Sequence, residues 1–278
     1  MNEEAGEKYL LYIDILGFSK LVSEGRSKVE MIYGILNSLN VHLHGDFTTI
    51  VFSDTVLIYN KKDPVSESEH QYLIMYLIEF AEDLHHRLIG QDIYFRAILR
   101  RGEFIHYELE NLDAFFGHAL IKSYLSEKEI PSLGLFIDDE CNKYNRFMKT
   151  RRFGKDLSFV FLCQNVVSMV KQYGKCLPLN NDVAYMLCVA DELPYLAWDL
   201  KFLEDVYRNM RSQENPLVRL KYLTAWDFYD QEYREVLQYI IASDFSIDAL
   251  CPTFDFSDKK KLLLQSIEHN SKISVNRI

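Results

Sequence analysis

No two of the five cysteines stand in C-x-x-C spacing: Cys141, Cys163, Cys176, Cys188 and Cys251 are scattered. That spacing excludes the usual paired-thiol zinc pattern, and an odd, dispersed set fits reduced thiols of a cytoplasm. No apolar run is long enough to span a bilayer, and no N-terminal apolar stretch resembles a signal peptide, so the expected location is cytoplasmic with no membrane partner. Positive charge is in deficit, with 31 Lys and Arg against 41 Asp and Glu and a formal net charge of −10. Such a chain lacks the basic face that nucleic acid or an anionic membrane wants, although a small basic pocket for a nucleotide is allowed. Internal repeats and low-complexity tracts are missing as well. What is present is 278 residues, 48% of them hydrophobic. That suffices for one large domain, or one domain with a sizeable extension.

The most informative stretch runs from Tyr9 to Tyr59. Leu10, Leu11, Tyr12 and Ile13 predict a buried strand ending on a carboxylate, Asp14. Gly17 and Phe18 predict a short turn. A helix follows from near Ser19 to about residue 40, with Ile32, Ile35, Leu36 and Leu39 on its apolar face and a break at Gly25. Thr48 to Phe52 and Thr55 to Tyr59 predict two strands joined at Ser53-Asp54. An apolar strand ending in Asp, plus an Asp at a hairpin tip, can bring two carboxylates together. Such a pair suits a divalent cation that keeps its other positions for water and phosphate. Taken singly, each is also a common place for a structural Asp. The N–H groups opening the helix at Gly17, Phe18 and Ser19 suit a phosphate, or a plain turn with Ser19 as N-cap.

Further on, Ile74, Leu77, Ile78, Ala81, Leu84 and Leu88 predict a second long helix. Tyr94 to Leu99 predicts a strand, Gly102 a turn or bulge, and Phe104 to Tyr107 its continuation. Leu109 to Phe116 reads as loop, Gly117 to Lys128 as helix and Leu133 to Ile137 as strand. The order β-α-β-β-α-β-α-β predicts an α+β, ferredoxin-like core with a mostly antiparallel sheet. Residues 1–7 read as a loose end, and His42 and His44 as loop residues. After Cys141, Phe159 to Val170 reads as a strand entering a helix. Leu196 to Met210, Leu217 to Tyr229 and Tyr233 to Ala242 read as helices. Their aromatic stripe (Tyr195, Trp198, Tyr207, Tyr222, Trp226, Tyr229, Tyr233) is expected in a core. Lys259 to Lys261 read as a solvated face, and the residues from His269 as frayed. The expected organisation is a core over 8–140 and a mainly helical extension over 141–278 packed on it.

Asp14-Ile15-Leu16-Gly17-Phe18 and Ser53-Asp54 resemble the D-I-x-G-F strand and the G-D hairpin of class III nucleotidyl cyclases. Arg96-Ala-Ile-Leu-Arg-Arg-Gly102-Glu103-Phe104 stands where that family has its next strand, and Gly117-His-Ala-Leu-Ile-Lys-Ser-Tyr124 where it starts a helix. The resemblance covers roughly residues 8 to 140. It implies two cations, Mn2+ or Mg2+, held by Asp14, Asp54 and the backbone carbonyl of Ile15. It also implies a head-to-tail homodimer whose sites draw on both copies. Gly17, Phe18 and Ser19 would hold phosphate, with Arg96 and Lys122 as substrate contacts. Arg100 and Arg101 lie on opposite faces of a strand, so one of them can face the site, and Arg101 is carried as the catalytic candidate.

The chain departs from that family at the residues that read a purine. The polar residue four before the hairpin Asp is Ile50, and the one three before the helix glycine is Ala114. Neither side chain hydrogen-bonds a base. The helix Asn and Arg of the family fall at Ile121 and Leu125. These departures resemble the pyrimidine cyclases of the bacterial Pycsar antiphage system, as do Arg101-Gly102, Gly117-His-Ala-Leu120 with Tyr124, and Val218-Arg-Leu-Lys-Tyr222. That branch implies conversion of UTP or CTP to cyclic UMP or cyclic CMP, and a separate effector protein reached through the diffusible product. Ile50 and Phe52 are then expected as walls of a pyrimidine pocket. The alternatives are an adenylate or guanylate cyclase with altered base contacts, and a degenerate cyclase that only binds a nucleotide.

Overall fold

The computed structural model describes residues 2–163, 165, 177–189 and 193–273. The described residues divide into two compact units, one of residues 2–85 and 93–162 and one of residues 86–92, 163, 165, 177–189 and 193–273.

The first unit is built on an eight-stranded sheet. Its strands are β1 (Asn2–Leu16), β2 (Phe47–Phe52), β3 (Thr55–Asn60), β4 (Tyr94–Glu108), β5 (Asp113–Phe116), β6 (Gly134–Asp138), β7 (Thr150–Phe153) and β8 (Leu157–Val160). They lie in the order β2-β3-β1-β4-β6-β8-β7, and β5 pairs with β4. All pairs are antiparallel except β4 with β6. The order β2-β3-β1-β4, with helices α1 (Phe18–Glu24) and α2 (Arg26–Asn37) after β1 and α3 (Glu67–Leu88) after β3, is the ferredoxin-like arrangement. The fold is therefore the expected α+β one.

Central position explains the composition of β1. Tyr9, Leu10, Leu11, Tyr12 and Ile13 are all buried, so both faces of the strand are covered. Helix α4 (His118–Glu129) packs on β1 and β4 on one face. On the other face the Tyr9 hydroxyl bonds His70 in the first turns of α3. The period of α3 is plain in its burial: Leu73, Ile74, Leu77, Ile78, Ala81, Leu84 and Leu88 are all buried. Gly25, at φ 131°, breaks α1 from α2 as expected.

Several expectations are corrected. Residues 2–7 are strand, because the far half of the fifteen-residue β4 needs a backbone partner whatever the side-chain polarity: Asn2 pairs with Glu108 and Gly6 with Phe104. Gly102 is neither turn nor bulge. Strand β4 runs straight through it, and a Cβ there would meet the Ala119 backbone N at 3.5 Å, an ordinary contact with α4. The stretch 109–116 contains β5, which turns back onto β4. The sheet continues past residue 140, since β7 and β8 form a hairpin and β8 pairs with β6. His42 and His44 lie in and just after a short 3-10 turn, where the His42 ring bonds the Leu36 carbonyl and His44 packs on Tyr76.

The second unit is helical: Asn181–Val189, Leu193–Ser212, Pro216–Ala242 and Ser257–Lys272. The two helices expected over 217–242 are present, running into each other across a kink where Tyr233 leaves helical geometry at φ −138°. Asn215 caps its start by accepting from Leu217 N at 3.0 Å, with Pro216 in the first turn. Tyr222, Trp226, Tyr229 and Tyr233 are buried, as their spacing predicts, whereas Trp198 and Tyr207 are half-buried and Tyr195 is exposed. Lys259 to Lys261 lie in the first turns of Ser257–Lys272, and that helix runs through His269 rather than fraying there. The helix expected up to Val170 falls mostly outside the described residues, as do 274–278. No helix among the described residues is long and apolar enough to cross a membrane.

Candidate functional site

Antiparallel partners share a face of the sheet, so the registers define rows across it. One row is Phe52, Thr55, Asp14 and Arg96; the next is Ile50, Leu57, Tyr12 and Ile98. Asp54 occupies the two-residue turn between β2 and β3, where Ser53 takes φ 58°. Its carbonyl accepts from Ile15 N at 2.9 Å, which ties the hairpin tip to the end of β1. Asp14 and Asp54 are thereby brought together, both half-buried.

Their charges are felt beneath them. Tyr12, two residues before Asp14 and on the same face, is buried. Burial lifts its phenol above the ordinary value, a Thr55 hydrogen bond opposes this, and Asp14, Asp54 and Tyr124 raise it further. Arg96, only 5% exposed, lies beside Asp14 at 3.5 Å. It also donates to the Ile130 carbonyl at 2.6 Å and pairs with Glu127 near the end of α4. Burial pulls the guanidinium below its usual value and Asp14 pushes it back up. The cation is therefore held on three sides before any ligand arrives.

The other expected residues divide. Gly17, at φ 76°, takes the N-cap position of α1 in place of Ser19, and no side chain caps that helix. Lys20 N and Leu21 N donate to the Gly17 carbonyl, leaving the N–H groups of Phe18 and Ser19 without an acceptor inside the helix. Phe18 is buried against Tyr33, so only its backbone faces a ligand. Ile50 and Phe52 share the Asp14 face; Ile50 is half-buried and Phe52 is 79% exposed. Lys122 is exposed on α4.

Arg101 is not brought to the carboxylates. It pairs with Tyr9, on the opposite face, where its guanidinium lies over the Tyr9 ring and reaches Glu7 at 3.3 Å. Of the two arginines before Gly102 it is Arg100 that shares the Asp14 face, and it is spent on Asp156 at 3.0 Å and Ser126 at 3.3 Å. Ala114 pairs with Tyr107, also on the other face. From Arg96 to Tyr107 is roughly 35 Å of strand. Within one chain Ile50 and Ala114 do not meet.

Sequence reasoning passed over Tyr12, Tyr124 and Glu127. Tyr12 was legible from the two-residue period alone, since it shares a face with Asp14. Glu127 was not, because its place depends on how α4 crosses the sheet.

Asp14, Asp54 and the Ile15 carbonyl are all hard oxygen donors. Among the described residues no group of three or more His, Cys, Asp or Glu could hold a metal ion. Two carboxylates without a third fit a Mg2+-type ion that completes its shell with water and phosphate oxygens, and not a closed all-protein cage.

No family model matches the chain, and none of the curated proteins does. Among solved structures the chain is similar to the adenylyl cyclase CyaB from P. aeruginosa, at 11% identity and a TM-score of 0.42, over 58% of this chain and 95% of that one. It is similar also to the monomeric guanylyl cyclase domain of the RhoGC fusion protein from the aquatic fungus Blastocladiella emersonii, at 14% identity and a TM-score of 0.46, over 58% and 98%. A third is the guanylyl cyclase Cya2, at 12% identity and a TM-score of 0.40, over 58% and 94%.

Proposed function

We propose that the protein is a nucleotide cyclase of the class III kind, acting on a pyrimidine nucleoside triphosphate. The observation that carries this is the meeting of Asp14 and Asp54 at the β1 end and the hairpin tip, joined through Ile15 N and the Asp54 carbonyl at 2.9 Å, within the D-I-x-G-F and S-D motifs. Asp14, Asp54 and the Ile15 carbonyl would hold two divalent cations, Mn2+ or Mg2+, whose chemistry is to acidify the ribose 3′-hydroxyl and neutralise the triphosphate. The chain's own residues do the rest. The N–H groups at Phe18 and Ser19 orient phosphate oxygens, and buried Arg96 keeps a fixed positive charge beside them. Tyr12 and Leu57 floor the site and limit water beneath the carboxylates. Attack of the 3′-oxygen on the α-phosphorus forms the cyclic ester, and pyrophosphate leaves.

Pyrimidine preference rests on Ile50 and Phe52, which line the Asp14 face with apolar bulk where a purine edge needs a polar partner. Ile50 and Ala114 stand far apart in one chain, so a base pocket using both positions takes two copies, in keeping with a head-to-tail homodimer. The product would serve as a diffusible second messenger to a separate effector in antiphage defence. A degenerate, nucleotide-binding module is the second reading, favoured by the capture of Arg96 by Glu127 and by apolar Ile121 and Leu125 on α4. Separate incubations with UTP, CTP, ATP and GTP and manganese, followed by chromatography of products, test both. Cyclic UMP or cyclic CMP as main product is the expected result. A purine product overturns the base assignment, and no product with any triphosphate overturns the enzyme.

A further inference from the structure

A second recess lies away from the two carboxylates. It is a cavity of about 240 Å³ between the middle of α3 and the loop that follows helix α5 (Asp139–Asn142). Ile74, Met75, Ile78, Glu79 and Glu82 of α3 line one side, and Asn145, Phe147 and Met148 the other. Ile74 and Ile78 are buried and make the floor, while Phe147 lines the cavity yet stays 66% exposed.

The loop wall is built in advance. The Asn145 amide oxygen accepts from Phe147 N at 3.3 Å and Met148 N at 3.0 Å. Its amide nitrogen donates to the Met148 carbonyl at 2.7 Å and to Asn142. At the near end Tyr144 stacks on His70 of α3, ring centres 4.4 Å apart and nearly parallel. Both ends of the Asn145 amide are thus occupied, and it offers a ligand nothing.

Charge is one-sided. The lining holds two carboxylates and no cation. Of the basic side chains nearby, Arg146 is engaged on Glu67 at 3.2 Å and Lys143 on Glu140 at 2.5 Å. Glu79, half-buried, makes no hydrogen bond or ion pair among the described residues. An apolar recess with an unanswered carboxylate and one aromatic ring is complementary to an apolar body carrying a positive head, which Glu79 attracts by charge and Phe147 by its ring face.

We propose that this cavity is a binding site for a small organic cation, an ammonium on an aromatic or branched aliphatic body. Its volume exceeds the roughly 150 Å³ of an apolar cavity that takes up benzene, so one ring and a short ammonium arm fit. The site is independent of the cyclase reading, because none of its lining residues shares the Asp14 face.

The probe is 2-phenylethylammonium, with 2-phenylethanol as its uncharged counterpart. Methyl-labelled methionine reports the site directly, since Met75 and Met148 line it and the remaining methionines serve as controls for the fold. The ammonium is expected to shift both methyl signals saturably, with a dissociation constant on the order of 1 mM for so small a ligand. Glu79→Gln is expected to weaken it about tenfold while the other methionine signals stay in place, and the alcohol is expected to bind at least about tenfold more weakly than the ammonium. Absence of a saturable shift at Met75 and Met148 overturns the site. Equal binding of the alcohol, or undiminished binding by Glu79→Gln, overturns the assignment of a cationic ligand.

Discussion

Asp14 and Arg96 stand directly opposite each other in the β1–β4 ladder, with the guanidinium 3.5 Å from the carboxylate. Glu127 takes the other side of the same guanidinium. One buried cation is thus shared between a metal-ligand candidate and the end of α4. Removing it takes this shared cation away from both acids.

Arg96→Met is therefore expected to lower stability by about 3 kcal/mol. The urea midpoint should fall with the slope unchanged. Adding Glu127→Gln should recover part of the loss, because the two residues are in contact and their effects do not add. An unchanged midpoint in the single variant would mean that the ion pairs contribute nothing in solution.

Asp14→Ala and Asp54→Ala are each expected to cut cyclic nucleotide formation by at least a factor on the order of 10² while the far-ultraviolet dichroism is retained. Product formation is also expected to stop on chelation of divalent ions. Turnover near the wild-type rate in either folded variant removes the two-carboxylate assignment.

Gly117 sits at φ 144°, and a Cβ there would run into the Glu103 backbone. Gly117→Ala is expected to cost upwards of about 3 kcal/mol, since α4 would have to lift off β4. Gly45, with nothing near its absent Cβ, provides the contrast. Gly45→Ala is expected to be neutral or to stabilise by up to about 1 kcal/mol. Calorimetric melting of the two variants separates close packing from chain entropy; equal effects would contradict the packing at Gly117.

Burial holds the Asp138 carboxyl above the ordinary range, against hydrogen bonds from Cys141 and Arg101 N and the charge of Arg100. The native state then keeps a proton that the unfolded chain has released. Stability from this group is present in full below the unfolded value and declines as pH rises through the raised native one. Asp138→Asn should flatten that part of the pH profile in urea titrations. At neutral pH it should also cost about 1–3 kcal/mol, because an amide turns N–H groups toward the donor Arg101 N. A profile of the same shape in wild type and variant would assign the slope to other groups.

Ile121 and Leu125 are 55% and 52% exposed on α4, and Phe52 is exposed on the same face of the sheet as Asp14. If two copies pair head to tail, these apolar residues are covered. Leu125→Asp is expected to shift sedimentation toward the monomer and to lower activity in parallel, with the melting temperature of dilute protein unchanged. A fully active monomer would rule out a shared site.

The parts of the site legible in the sequence were those set by local rules. The Tyr9–Ile13 run, the Ser53-Asp54 turn and the two-residue period place Asp14, Asp54, Ile50 and Phe52 together without reference to distant contacts. Arg101 failed because alternation gives a choice of two faces and only the register against Tyr9 decides it. Gly102 was read as punctuation because glycine often marks turns, yet here it is an ordinary strand position with room for a Cβ beside Ala119. Residues 2–7 looked too polar for a strand, yet backbone pairing to β4 asks nothing of side chains. The β7–β8 hairpin was missed for a related reason: Leu157–Val160 is four residues long, too short for a period to show.

The long β1–β4 ladder also sets a schedule for synthesis. Leu10 pairs with Tyr59 on one side and Arg100 on the other, and Asn2 waits for Glu108. At about 5–20 residues per second, the buried Tyr9–Ile13 run of β1 spends several seconds outside the ribosome with only one neighbour. During that interval its open edge can accept any extended segment, including one from another nascent copy. Growth at low temperature, or with extra chaperone, should therefore raise the yield of folded protein more than any change to its surface would.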